Sequence, residues 1–318
     1  MSTKLPPYIE IDGRADASVR PPGVFTGARA WVFGAYGDRA RMQALADRLI
    51  TGPSGGALTA TVPTRLVNFI FFNGDKLSSP NAPIGWTPNR EFIIAFPLIV
   101  RRRGHPLDIR FGLLPAWVYI NNYRGMVTGR ESWGYFKNLG EVTSPKAWST
   151  SFQCALDTLT FQPASPDTEG RVTRLVEVNL VPGTGASPAT MEGGNDEHLR
   201  HLVSSFAEHV EDDAGDLFRS ATAGLTALSV PAFNLKQFRD VADGTKACYQ
   251  AVTTSPLQVL GLTGLQKLRG DYTITIKDVA SAQIAQVLGL GASPIPVKFG
   301  IGAEPAYQAI AGEVLWQA

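Results

Sequence analysis

Cysteine is scarce. Cys154 and Cys248 are the only two in 318 residues and lie far apart, which leaves neither a disulfide framework nor a cysteine-rich zinc site and fits a reducing compartment. Charge is scarce as well. At 18% charged residues and a net charge of +1, the chain lacks the basic excess that phosphate neutralisation by a nucleic-acid binder requires. Arg101-Arg102-Arg103 is its one basic run and reads as a solvated turn. No stretch approaches the ~20 apolar residues of a membrane span, and Met1 to Glu10 has no apolar core of signal-peptide length. A cytoplasmic protein with neither a nucleic-acid nor a membrane partner is expected.

Two motif fragments are incomplete. His198 and His201 stand three apart in a helical pattern, but a third ligand and an H-E-x-x-H arrangement are missing, so they read as solvated helix histidines and no metal is expected. Gly52-Pro53-Ser54-Gly55-Gly56 spells G-x-S-x-G. It follows a helical pattern, whereas a nucleophile elbow needs a strand before it and a helix after it, so the stretch reads as a connector.

Hydrophobic residues are plentiful, at 44%. They imply a sizeable core, and the sparse charge points to further surface buried in a homo-oligomer. The chain opens with a Pro- and Gly-rich arm over 1–27. A strand follows at Ala30–Tyr36, then a helix over Arg39–Ile50, where Met42, Leu45, Leu49 and Ile50 recur at helical spacing. Val67–Phe72 and Glu91–Val100 are β-prone runs, separated by a loop that carries Pro80, Pro83, Gly85 and Pro88. Asp108–Asn121 reads as two short strands broken at Pro115. Trp148–Gln162 and Arg171–Val181 read as a hairpin extending the same sheet.

A helical insertion is expected over about 183–230, with helices over 195–210 and 213–225. Strands return at Ala232–Phe238, Lys246–Val252 and Asp271–Lys277, then a short helix at Ser281–Leu288 and a strand at Pro294–Ile301. Strands dominate without regular βαβα alternation, which gives an α+β class that is mainly antiparallel.

The stretch that carries chemistry is Gly129-Arg130-Glu131-Ser132-Trp133-Gly134-Tyr135-Phe136-Lys137-Asn138. A lysine set among aromatics loses hydration, and burial favours the neutral, nucleophilic amine. On that account Lys137→Met is expected to stabilise the fold while destroying activity. The alternative for Lys137 on spacing alone is an exposed loop lysine.

From Tyr119 to Lys137 the segment resembles the active-site segment of the acetoacetate decarboxylase family, in which G-R-E precedes an aromatic, usually a proline, and the Schiff-base lysine. The resemblance implies a single domain over 1–318 with a closed or nearly closed β-barrel core and Lys137 on a loop reaching into the barrel. It also implies catalysis with no cofactor. Glu91, followed by an apolar run with Pro97 six places on, matches the family's active-site glutamate as a proton-transfer group. Arg29 matches the arginine that organises the pocket, with Arg39 as a competing candidate. Trp133, Tyr135, Phe136 and Asn138 are the expected substrate-binding residues.

Phe136 stands where the family usually has proline, Asn138 where the classical decarboxylases have a second lysine, and Ile70 where an acidic residue is expected. The implied function is a Schiff-base lyase acting on a small keto acid, with decarboxylation of a β-keto acid the leading reaction. Aldol condensation with dehydration or cyclisation is the alternative. A non-catalytic small-molecule binding module is the third reading.

Overall fold

The computed structural model describes residues 5–9, 18–192, 197, 208 and 229–318. The expected helices over 195–210 and 213–225 lie outside the described residues apart from Glu197 and Glu208, as do His198, His201 and His209.

The first strand, β1 (Gly23–Tyr36), leads into α1 (Arg39–Ala46) and a π-helical turn, Asp47–Thr51. Asp38 accepts from the Arg41 backbone N–H and caps α1, whose Met42, Leu45 and Ala46 face inward. β2 (Leu58–Thr61), β3 (Leu66–Ser79), β4 (Ala82–Arg102) and β5 (Ile109–Ile120) follow, and then α2 (Tyr123–Thr128). Short strands β6 (Lys137–Leu139) and β7 (Glu141–Thr143) precede the hairpin of β8 (Gln153–Thr160) and β9 (Arg171–Leu180). The second half holds β10 (Ala186–Thr190), β11 (Ser229–Arg239), β12 (Ala247–Arg269) and β13 (Tyr272–Ile276). It ends with α3 (Ile284–Leu288), β14 (Ile295–Pro296), β15 (Phe299–Ala309) and β16 (Glu313–Gln317).

Seven strands, in the order β4-β3-β1-β15-β12-β11-β5, form a ring that returns to β4 through the β4–β5 pairing. Its weakest seam is the parallel contact of β11 with β5 at Ala232 and Leu113, so the barrel is nearly closed. A second sheet, β14-β13-β9-β8-β7, packs beside it. The larger core joins Trp31, Phe33, Phe69, Phe71, Phe92 and Ile94 of the barrel to Cys154, Leu156, Val176, Val178 and Ile274 of the second sheet, together with α1. On the opposite, concave face of the barrel a smaller cluster gathers Phe25, Phe72, Leu77, Trp133 and Ala309. Because β3 and β4 are covered on both faces, their sequences read as nearly continuous apolar runs instead of alternating ones.

Several expected boundaries differ. The arm ends earlier than 27, because β1 begins at Gly23. The Pro80–Pro88 loop is instead a tight turn between β3 and the long β4. The register slips between Gly74 and Leu77 and again before Ser79, so Pro83 and Pro88 fall outside the matched ladder positions. Pro115 does not break β5. A bulge, with Ile94 opposite Trp117 and Ala95 opposite Pro115, absorbs it.

The β8–β9 hairpin belongs to the second sheet, not to the barrel. The strand expected to end at Val252 runs on to Arg269 through two register shifts. The last expected strand divides into β14 and β15. Within the expected insertion, β10 pairs with β12. No helix among the described residues is long and apolar enough to cross a membrane.

Candidate active site

The lysine segment leaves β5 through Asn122, whose side chain accepts from the Gly125 N–H at 2.7 Å and starts α2. The helix passes into a π-helical turn, Gly129–Trp133, and stops at Gly134, whose φ of 85° is left-handed. A Cβ on Gly134 would also lie 2.7 Å from the Cα of Lys236. The chain then lays β6 parallel to β5, with Lys137 beside Val118.

Each residue of the G-R-E triplet now has a physical place. A Cβ on Gly129 would stand 2.5 Å from Lys137 Cε, so the lysine side chain occupies the space that glycine leaves. Arg130 Nη1 donates to the Lys137 carbonyl at 3.3 Å. Glu131 lends negative charge to Lys236, whose ammonium is pulled below its ordinary range by burial and partly restored by that carboxylate. Trp133 pins the segment to the second half of the chain. Its Nε1 donates to Ile310 O at 2.9 Å, and Thr253 Oγ1 donates to its carbonyl at 2.8 Å.

Lys137 Nζ meets Glu91 Oε1 at 2.6 Å, with side-chain exposures of 8% and 7%. The register explains the meeting. Lys137 shares a row with Val118, Ile93 and Ile70, while Glu91 stands one two-residue step along, opposite Ile120 and Phe72. Both side chains therefore rise from the same concave face and touch across β5. Such a pair can pass a proton between nitrogen and carboxylate without drawing on bulk water.

Aromatic rings wall the pair in. Lys137 Nζ lies 5.4 Å from the Tyr135 ring centroid. Phe25 stacks on Tyr307 at 4.4 Å, and Phe72 meets Tyr307 edge-on at 5.3 Å. Tyr135 Oη accepts from Ser255 Oγ at 2.6 Å, and Ser255 Oγ accepts from Asn234 Nδ2 at 3.2 Å. Burial pushes the Tyr135 phenol well above its ordinary range. The Ser255 hydrogen bond opposes the shift and the Glu91 charge adds to it. Tyr307 is raised in the same way, by burial first and by Glu91 and Tyr135 after it.

The structure brings Lys137, Glu91, Tyr135 and Trp133 to one face and separates the other sequence candidates from them. Arg29 pairs in register with Asn73, and Asn73 with Arg90, which places it on the opposite face of the sheet from Glu91. There it forms an ion pair with Glu304 and lines a cleft of about 390 Å³ with Asn73, Asp75 and Lys146. Arg39, the competing candidate, donates to Val62 O at 2.9 Å. Phe136 packs against the larger core. Asn138 is exposed, one alternation away from Lys137.

Sequence reasoning missed Phe25, Phe72, Asn234, Ser255 and Tyr307. Asn234 and the Thr253-Thr254-Ser255 run, all buried within strands, carried a legible signal. Polar residues at inward strand positions need partners.

No protein-family model matches the sequence, and no curated protein matches it. Solved structures do. An acetoacetate decarboxylase from Legionella pneumophila superposes with a TM-score of 0.62 at 14% identity, over 99% of this chain and 93% of that one. The enduracididine biosynthesis enzyme MppR, in complex with the condensation product of pyruvate and imidazole 4-carboxaldehyde, gives 0.55 at 12%, over 95% and 92%. An acetoacetate decarboxylase-like enzyme from Sphingomonas wittichii RW1 gives 0.55 at 13%, over 96% of each chain. At these identities the likeness is one of fold: the chain adopts the acetoacetate decarboxylase fold.

Proposed function

We propose that this protein is a Schiff-base lyase acting on a small keto acid, with Lys137 as nucleophile and Glu91 as its proton partner. The observation that carries the reading is the buried 2.6 Å contact between Lys137 Nζ and Glu91 Oε1. Glu91 takes the ammonium proton, and the amine adds to the substrate ketone. Glu91 then returns that proton to the oxygen, takes a second from the adduct nitrogen and passes it to the same oxygen, which leaves as water as a lysine iminium forms. With a β-keto acid, the bond to the carboxylate breaks and its electron pair moves into the iminium, releasing carbon dioxide and an enamine. Protonation at carbon and hydrolysis regenerate Lys137.

A second reading, in which the enamine attacks an aldehyde and water is then eliminated, is favoured by Ile70. It stands on the same register row as Lys137, so the position where the classical decarboxylases are expected to hold a carboxylate is apolar here. MppR was crystallised with a condensation product of pyruvate and an aldehyde. That product belongs to the kind of chemistry the second reading requires.

Incubation with acetoacetate, and separately with pyruvate plus an aromatic aldehyde, distinguishes the two by carbon dioxide release against a water-eliminated product. Borohydride added during turnover should attach the substrate carbon skeleton to the peptide holding Lys137. Labelling of a different lysine, or no labelling with any ketone tried, would sink both readings and leave a binding module.

A further inference from the structure

We infer that Asn234, Ser255 and Tyr135 form a one-way hydrogen-bond chain whose last proton, on Tyr135 Oη, is donated to the substrate oxygen as Lys137 attacks. The inference rests on the imine reading above and adds to it the group that holds the oxygen.

The directions of the bonds carry the argument. Asn234 Nδ2 has only protons to give and gives one to Ser255 Oγ at 3.2 Å. Ser255 Oγ gives its single proton to Tyr135 Oη at 2.6 Å. The phenol's acceptor side is thereby used, and its own proton has no acceptor among the described residues. Asn234 and Ser255 are 4% and 0% exposed and sit on the paired strands β11 and β12, so water does not compete for either. An uncommitted buried donor costs stability unless something accepts from it. The Tyr135 ring lies beside Lys137 Nζ, where a ketone about to be attacked would place its oxygen.

When the amine adds, the carbonyl π pair moves onto oxygen. A phenol proton left free beside the reacting centre can be given to that alkoxide, and a donor held in place stabilises it. Glu91 carries the proton balance, returning the ammonium proton to the oxygen, then taking a second proton from the adduct nitrogen and passing it to the same oxygen. The C–O bond then breaks, water leaves, and the nitrogen lone pair closes the iminium. Tyr135 contributes its hydrogen bond throughout and stays protonated. Ser255 and Asn234 touch no substrate atom and are positioning residues.

Acetylacetone is a suitable probe, because a lysine amine condenses with it to an enaminone that absorbs in the near ultraviolet. The wild-type adduct should form on Lys137. Tyr135→Phe should form it about a hundredfold more slowly, the scale on which one oxyanion donor is lost. Ser255→Ala should slow it by a smaller factor and Ser255→Thr should restore the rate. Tyr135→Phe combined with Ser255→Ala should be no slower than Tyr135→Phe alone, because Ser255 acts through the phenol.

Should Tyr135→Phe fail to fold, the loss in Ser255→Ala and its rescue by threonine carry the same test. Unchanged rates in Tyr135→Phe, or in Ser255→Ala, with the wild-type adduct on Lys137 would overturn this inference and leave the imine reading standing. A wild type that forms no adduct on Lys137 would overturn both.

Discussion

Lys137 is buried with a carboxylate, and that reverses the expectation that its removal stabilises the fold. A lone buried ammonium is a liability, but Glu91 makes it half of a pair. Removing one member of a buried ion pair leaves an uncompensated charge, which costs about 3–5 kcal/mol. Lys137→Met should therefore destabilise the protein on that scale. Combined with Glu91→Leu it should recover to wild-type stability or above it, and urea melts of the two variants beside the wild type read the difference. Gly129 governs the same side chain from behind. Gly129→Ala puts a methyl against the flexible end of Lys137, so the lysine moves and the backbone does not have to. The thermal midpoint should change little, while the rate of borohydride-trapped imine falls by about a hundredfold, since a displacement on the order of 1 Å is enough for that. An unchanged trapping rate would refute the packing argument.

Among the elements, the π-helical turn and β6 do most to place the chemistry, and Gly134 joins them. Alanine there must adopt a left-handed backbone, which costs about 1–2 kcal/mol, and must also push against the Lys236 backbone. Gly134→Ala should thus lower the urea midpoint measurably and slow trapping at Lys137 together, unlike Gly129→Ala. How far the elements were legible varies with what covers them. The runs at Val67–Phe72 and Glu91–Val100 and the spacing of Met42, Leu45 and Ile50 announced β3, β4 and α1, since their buried faces are written directly in residue type. β4 was cut short because proline and glycine normally mark turns, and nothing local reveals that register slips would seat Pro83 and Pro88 off the ladder. Assignment of β8 and β9 to a separate sheet depends on which face meets Phe33 and Trp31, a long-range fact. The Lys137 and Glu91 contact was approachable through the family resemblance. Arg29 was misdirected to the pocket because its face follows from strand register, which no gap-dependent alignment supplies.

At the scale of the molecule, the buried phenols set the behaviour in base. Burial pushes Tyr119 up to about 12 and holds Tyr135 and Tyr307 well above their ordinary range, against about 10 in an unfolded chain. The native state keeps protons that the unfolded state releases, so stability is full below pH ~10 and declines as pH rises beyond it. Thermal midpoints should fall above that pH, and less steeply in Tyr307→Phe. The segment 5–9 presents Leu5, Tyr8 and Ile9 at exposures of 81%, 70% and 77%, an apolar stretch outside any strand that suits a second copy. Light scattering at micromolar concentration should give a multiple of the chain mass, and a monomer would refute that assembly. The two cores have a further consequence. Most of the cohesion lies between the barrel and the second sheet, behind Phe71 and Phe92, whereas Ile70, Ile93 and Val118 line the reactive side and belong to neither apolar cluster. Selection can therefore rewrite the reactive wall without dismantling the frame. A library randomised at those three positions should retain folded members in bulk, giving directed evolution a chassis in which substrate range changes at low structural risk.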